Sequence, residues 1–449
     1  MSPAQVSAAR RREVIDALRR GTVPQAGLDL FAVGLERFEN ALDEELTTVA
    51  GGGAVFKAVR GEYGSGKTFF SRWLAERVKR QGFAVTEIQI SEAETPLHRL
   101  ETVYRRLVER LSTSSHRPSA LREIINGWFY TLEEDVLASG TVPADAQGMP
   151  DPVALQQGVD DLLEQRLTTV ARTTPAFAAA LRAYRRARLA EDTAIAEGLI
   201  AWIGGQPNVA AAAKRAAGVK GDLDHFGALG FLQGLLTVLR DSGHPGLLLV
   251  LDEIETLQRV RSDVREKGLN SLRQLIDEID GGRFPGLYLM ITGTPAFYEG
   301  RQGVQRLAPL AQRLASDFGD PRFDNPRAAQ IRLTGFDLAK LVRLGLVVRD
   351  LYGSGASPRV RSTVDDQYVE QLALAVTGEL GGQIGIAPRI FLRKLVEQVL
   401  DRVDQFDDFD PREHYALTLT TAELTEVERN AWSQRATDAD AITLDLDGP

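Results

Sequence analysis

The sequence predicts an α/β protein: a parallel sheet built around a phosphate-binding loop, with a large helical insertion and a helical C-terminal lid. Three observations carry this. Residues 53–80 run from an apolar β-branched stretch through a glycine-rich turn into a helical pattern. Residues 247–251 form an unbroken apolar run closed by two acids, and residues 96–243 are rich in Leu, Ala and Arg at helical spacing. With 449 residues the chain exceeds one ordinary core. The reading divides it into a nucleotide-binding core over residues 1–325, holding a helical insertion over about 96–243, and a helical lid with the C-terminal region over 326–449.

The first element is the loop "GEYGSGKT" at residues 61–68, which fits G-x-x-x-x-G-K-[ST] at Gly61, Gly66, Lys67 and Thr68. The chemistry needs these residue types. Glycines let backbone N–H groups wrap a phosphate, and the following helix points its positive end at the anion. Lys67 adds a neutralising charge, and Thr68 offers a hydroxyl to Mg²⁺. Gly61, Glu62, Tyr63, Gly64, Ser65, Gly66, Lys67, Thr68 and Phe69 are therefore the expected ATP-binding residues, with Mg²⁺ as the accompanying ion.

A second strand, "FAVTEIQIS", follows, and then the run "GLLLVLDEIETL". Five apolar residues read as a strand covered on both faces, with Asp252 and Glu253 at its carboxyl end, where open α/β sheets bind ligands. Asp252 is expected to hold the metal and Glu253 to polarise the attacking water. No Asn/Thr-Lys-x-Asp base reader is present, which excludes a GTPase.

A third covered strand, residues 287–291, ends in Thr292 and Thr294. A hydroxyl there has two readings: a contact to the terminal phosphate, as sensor 1 of AAA+ ATPases, or a cap on the loop. In "QRLAPLAQRLAS", Arg306 and Arg313 lie on an expected helix where AAA+ proteins carry an arginine reaching into a neighbouring subunit's nucleotide. "AAQIRLTGFDLAKLVRLGLVVRDLYG" reads as a short strand entering an amphipathic helix. In "GGQIGIAPRIFLRKLVEQVLDRV", Pro388 near a helix start and Arg389 just inside it fit the sensor 2 arrangement of an AAA+ lid. The order of these residues resembles AAA+ ATPases, most closely the initiator and Cdc6-like branch with its STAND-type relatives.

A narrower resemblance rests on "EVIDALRRGTVPQAGLDLFAVGLERF", "GEYGSGKTFF", "LLLVLDEIETL", "ITGTPAFYEG", "APRIFLRKLV" and "FDPREHYALTLTTAEL". Together they resemble the BrxC/BrxD-type ATP-binding proteins of BREX phage-defence systems, across nearly the whole chain. The resemblance implies an AAA+ ATPase acting beside other defence proteins, with DNA as the ultimate target.

Composition sets the limits. The formal net charge is −9, so contact with double-stranded DNA needs a local basic patch. The absence of cysteine removes thiol chemistry and Cys-based zinc sites, and the five histidines lack ligand spacing. No apolar run approaches the ~20 residues a bilayer requires, and the opening residues lack a secretory apolar core, so a cytoplasmic location is expected. Within the insertion, which is broken near residues 139–152, Arg182, Tyr184, Arg185, Arg186 and Arg188, with Lys214, Arg215 and Lys220, have two readings: a track for a DNA backbone or a solvated helix face. Interspersed acids favour the second. The acidic stretch "ATDADAITLDLDGP" reads as a frayed tail or short strand.

Three functions stay open at this point. One is an oligomeric ATP-driven motor or loader, and another is a nucleotide switch or assembly platform with slow turnover. The third, an initiator-like DNA loader, needs a winged helix for which the ~50 residues after "FLRKLV" are few.

Overall fold

The computed structural model describes residues 6–144, 148–379 and 387–416. The stretch 381–386 of the sensor 2 segment and the acidic tail at 436–449 lie outside the described residues.

Five parallel strands form one sheet: β1 (Val55–Arg60), β2 (Ala84–Gln89), β3 (Leu247–Asp252), β4 (Leu287–Gly293) and β5 (Gln330–Arg332), in the order β2-β3-β4-β1-β5. Every residue of β3 and β4 is buried, as the unbroken apolar runs require for strands covered on both faces. The two-residue side-chain period divides each strand between two cores. Leu248, Val250, Tyr288 and Met290 pack with helices Glu36–Ala50 and Lys67–Arg80. Leu247, Leu249, Leu251, Leu287, Leu289 and Ile291 pack on the opposite face with the insertion and helix Ser262–Asp280.

Between β2 and β3 the chain forms helices Leu100–Arg110, Leu121–Ala138, Pro152–Thr173, Pro175–Leu189, Thr193–Ile203, Ala211–Ala216 and His225–Asp241. Their apolar faces are continuous with the sheet's core. Phe231 anchors them, meeting Tyr104, Phe177 and Trp202 edge-on at centroid distances of 5.7, 5.2 and 5.2 Å. Among the described residues no helix is long and apolar enough to cross a membrane.

After β5, helices Leu338–Gly353, Asp366–Glu379 and Ala387–Arg393, with the π-helical continuation Lys394–Leu400, build a separate apolar cluster. Two features differ from the sequence-based outline. The short strand at Gln330–Arg332 pairs with β1, so the sheet continues past residue 325. The N-terminal helix Ala8–Arg19 buries Val14, Ile15 and Leu18 among the C-terminal helices rather than against the sheet. Arg19 closes that joint with a bidentate contact to Asp401 (2.6 and 2.9 Å), which also accepts from the Tyr352 hydroxyl at 2.8 Å. The same N-terminal stretch is tied to helix Lys67–Arg80. Glu76 accepts from Arg10 at 2.8 Å and from Leu28 N at 2.9 Å, while Arg72 donates to the Val23 carbonyl at 3.0 Å.

Candidate functional site

The loop at residues 61–68 leaves β1 and enters helix Lys67–Arg80. Gly64 and Gly66 have φ of +77° and +94°, a left-handed conformation that a side chain resists. At Gly61 space decides: a Cβ would lie 2.2 Å from Ser65 Oγ and 3.3 Å from the Leu333 carbonyl oxygen. Gly61 N donates to the Gly293 carbonyl at 3.1 Å, which fixes the loop to the end of β4. The Lys67 ammonium donates to the carbonyls of Gly61 (2.8 Å) and Glu62 (3.2 Å) and lies 5.2 Å from the Tyr63 ring centroid. Burial pushes its pKa down, and the acids around it oppose that.

Strand register brings the acids to the loop. Asp252 accepts hydrogen bonds from Thr68 Oγ1 at 3.2 Å, from the Thr292 hydroxyl, and from Glu253 N at 3.1 Å. Thr292 also accepts from Glu253 N at 3.3 Å, so one buried hydroxyl ties both acids to β4. Glu253 sits in the left-handed region at φ +59°, and its carboxylate accepts from Gln89 Nε2 at 2.8 Å. Gln89 ends β2 directly opposite Asp252 in the parallel register.

A cavity of about 500 Å³ is lined by the loop and both acids, while Thr292 and Gln89 hold those acids from outside its lining. Tyr63 to Phe69, Asp252, Glu253 and Glu255 line one part, and Arg389 with Pro388 closes another from the C-terminal helices. A third wall comes from the N-terminal stretch, including Val23, Pro24, Phe31 and Val33. Phe31 meets Phe69 edge-on at 5.1 Å.

The remaining sequence candidates lie elsewhere. Thr294 neither lines the cavity nor reaches Asp252; its carbonyl accepts from Phe297 N at 3.0 Å at the start of helix Pro295–Glu299. Arg306 donates to Ser262 Oγ at 3.1 Å. Arg313 is paired with Asp277 at 2.7 Å and with Asp280, both on helix Ser262–Asp280. Both arginines are exposed, outside this chain's own cavity. The basic cluster of the insertion is largely occupied by neighbours. Arg182 pairs with Glu164, Arg185 is buried against Asp160, Arg188 and the buried Tyr184 reach Asn126, and Lys214 pairs with Asp222. Arg186, Arg215 and Lys220 remain exposed.

Sequence reasoning missed Gln89, Glu255 and the N-terminal wall. Glu255 is visible in "DEIET" only as one more acid, and the wall joins the site through tertiary packing.

Among families of known proteins, residues 6–419 match the one described as BREX system ATP-binding protein BrxC/D. No curated protein matches the chain. A P-loop α/β fold, a cavity uniting the loop with Asp252 and Glu253, and a family match over nearly the whole length agree, and the chain belongs to the BrxC/D family of BREX-system ATP-binding proteins.

Proposed function

We propose that the protein binds Mg-ATP in this cavity and hydrolyses it to drive conformational change or assembly within a BREX-type phage-defence system. The observation that carries the reading is the meeting of Lys67, Thr68, Asp252 and Glu253 at one cavity wall. The donor set suits the group. The Thr68 hydroxyl and Asp252 carboxylate are a hard-oxygen pair for Mg²⁺, and the Ser65 hydroxyl is buried without a protein partner inside the loop. Bound there, Mg²⁺ supplies charge neutralisation to the phosphates.

The chain's own residues do the rest. Lys67 exchanges its loop carbonyls for phosphate oxygens, and the backbone of residues 61–68 holds the anion. Asp252, fixed by three donors, keeps its carboxylate toward Thr68. Glu253 polarises the attacking water once it leaves Gln89. Arg389 lets the C-terminal helices sense the nucleotide, and Arg313 or Arg306 acts on a neighbour's nucleotide in a homo-oligomer. Other defence-system proteins are the proposed partners, with double-stranded DNA as the ultimate target.

A second reading, a slow switch awaiting a partner, is favoured by two contacts: Glu253 is held by Gln89, and Arg313 is engaged within its own chain. One experiment separates the two. ATP hydrolysis by the purified protein is measured with and without double-stranded DNA, with Glu253→Gln as control. DNA-stimulated turnover lost in the variant supports the motor, whereas ATP binding without turnover supports the switch. Absence of ATP binding overturns both.

A further inference from the structure

Glu255 is the acid of this cavity with no assigned task. The left-handed kink at Glu253 starts the short 3-10 turn Ile254–Gln258, and within it Glu255 enters the cavity wall that holds Lys67, Thr68 and Asp252. The residue is 4% exposed, and neither carboxylate oxygen has a hydrogen-bond partner in another residue; only its own backbone N–H and the nearby Lys67 favour the ionised form. Asp252, three residues earlier, has three donors. Buried acids with a structural task are normally satisfied, so an acid that the fold buries and leaves open faces something outside the fold.

The charges around it point to what that is. Lys67 on the loop is the offsetting cation, while Asp252 and Glu253 at the end of β3 are like charges. Tyr63 on the loop and Tyr298 on helix Pro295–Glu299 face it as neutral phenols, their own ionisation pushed up first by burial. Arg259, exposed at the end of its own turn, lines the same cavity and donates to the Tyr63 hydroxyl rather than to Glu255. The Lys67 ammonium bonds the loop carbonyls rather than Glu255. A phosphate seated on the loop claims that ammonium and leaves Glu255 as a like charge in a desolvated pocket.

We infer that Glu255 is an affinity-limiting residue of the nucleotide cavity: its carboxylate opposes the terminal phosphate and keeps ATP exchangeable. The inference rests on the proposed nucleotide site. Burial already pushes the Glu255 carboxyl up to about 6, and an arriving polyanion raises it further, so ATP binding takes up a proton near neutrality.

The test is calorimetric binding of Mg-ATP and Mg-ADP to the full chain, wild type and Glu255→Gln, at pH 7.5 and 6.0. The variant is expected to bind ATP about tenfold more tightly at pH 7.5, the equivalent of one pKa unit, with a smaller gain for ADP. The ratio between wild type and variant should narrow toward pH 6.0, and comparing the two proteins cancels the titration of ATP itself. Unchanged or weaker ATP binding by the variant overturns the inference. A second measurement needs no variant: titrations of the wild type in buffers of different ionisation enthalpy should report proton uptake at pH 7, and none overturns it. Wild type that binds no ATP, or Lys67→Ala that binds as tightly, refutes the site itself.

Discussion

Lys57 lies in the middle of the strand that carries the phosphate loop, yet it is a lysine with 1% exposure. Its ammonium pairs with Glu45 of helix Glu36–Ala50 and donates to the carbonyls of Ala328 at 2.7 Å and Pro326 at 3.2 Å. Glu45 accepts a further bond from the Tyr288 hydroxyl at 2.6 Å. Lys57→Met keeps the length of the side chain and removes the charge. Glu45, at 17% side-chain exposure, then keeps one donor, and two carbonyls lose theirs. Breaking a buried pair from one side costs about 3–5 kcal/mol, and the methionine returns part of this as apolar contact, leaving about 3 kcal/mol. Urea unfolding measures the loss, and hydrogen exchange should show it first at Ile331 in β5, beyond the segment Lys57 holds. Glu45→Leu added to Lys57→Met should recover stability, because the orphaned charge is then gone. A single variant within ~0.5 kcal/mol of wild type, or a double variant no better than the single, refutes the reasoning.

Arg19→Met should destabilise the joint between the N-terminal helix and the C-terminal helices by about 1–2 kcal/mol, less than a fully buried pair because the Arg19 side chain is 37% exposed, with Asp401 left to Tyr352. Limited proteolysis near residue 20 reads this, and ATP affinity should fall severalfold because that stretch walls the cavity. Gln89→Ala removes an exposed bond to Glu253, so stability should change by less than ~0.5 kcal/mol while hydrolysis rises severalfold; an unchanged rate refutes the restraint. The Glu255 carboxyl, raised by burial from 4.5 to about 6, favours the protonated form in the folded chain. Its contribution is therefore present below pH 4.5 and lost as pH rises to about 6, by about 2 kcal/mol. Urea midpoints of wild type relative to Glu255→Gln should fall over that interval and stay level above it.

The glycine-rich loop at residues 61–68 was legible because its constraints are local. Eight contiguous residues fix the glycines, the lysine and the threonine, and the backbone angles at Gly64 and Gly66 follow from the same residues. The strand ending at Asp252 was legible for a similar reason, since an apolar run of that length has no solvent face. The choice between Thr292 and Thr294 was not. It depends on β4 ending at Gly293 and on Leu251 lying opposite Ile291, which puts Thr292 beside Asp252 and carries Thr294 out of the strand. Arg389 was named through a motif and lines the cavity, whereas the basic cluster of the insertion illustrates the opposite limit. Charges counted along the chain do not disclose that Glu164 and Asp160 answer two of them from a neighbouring helix and Asp222 a third from a loop.

The sequence by itself determined the α/β class, the glycine-rich loop between β1 and its helix, the acids at the end of β3 and the helical character of the insertion and C-terminal region. Each is a property of periodicity or of adjacent residues. Only the tertiary structure decided which groups meet at the site. Gln89 reaches Glu253 because parallel pairing sets the ends of β2 and β3 side by side. The N-terminal helix joins the C-terminal helices because its apolar face finds burial there. Glu255 becomes a buried acid with no hydrogen-bond partner in another residue only when the turn after Glu253 folds it into a desolvated wall, since charge and burial coincide at a point that no stretch of sequence contains.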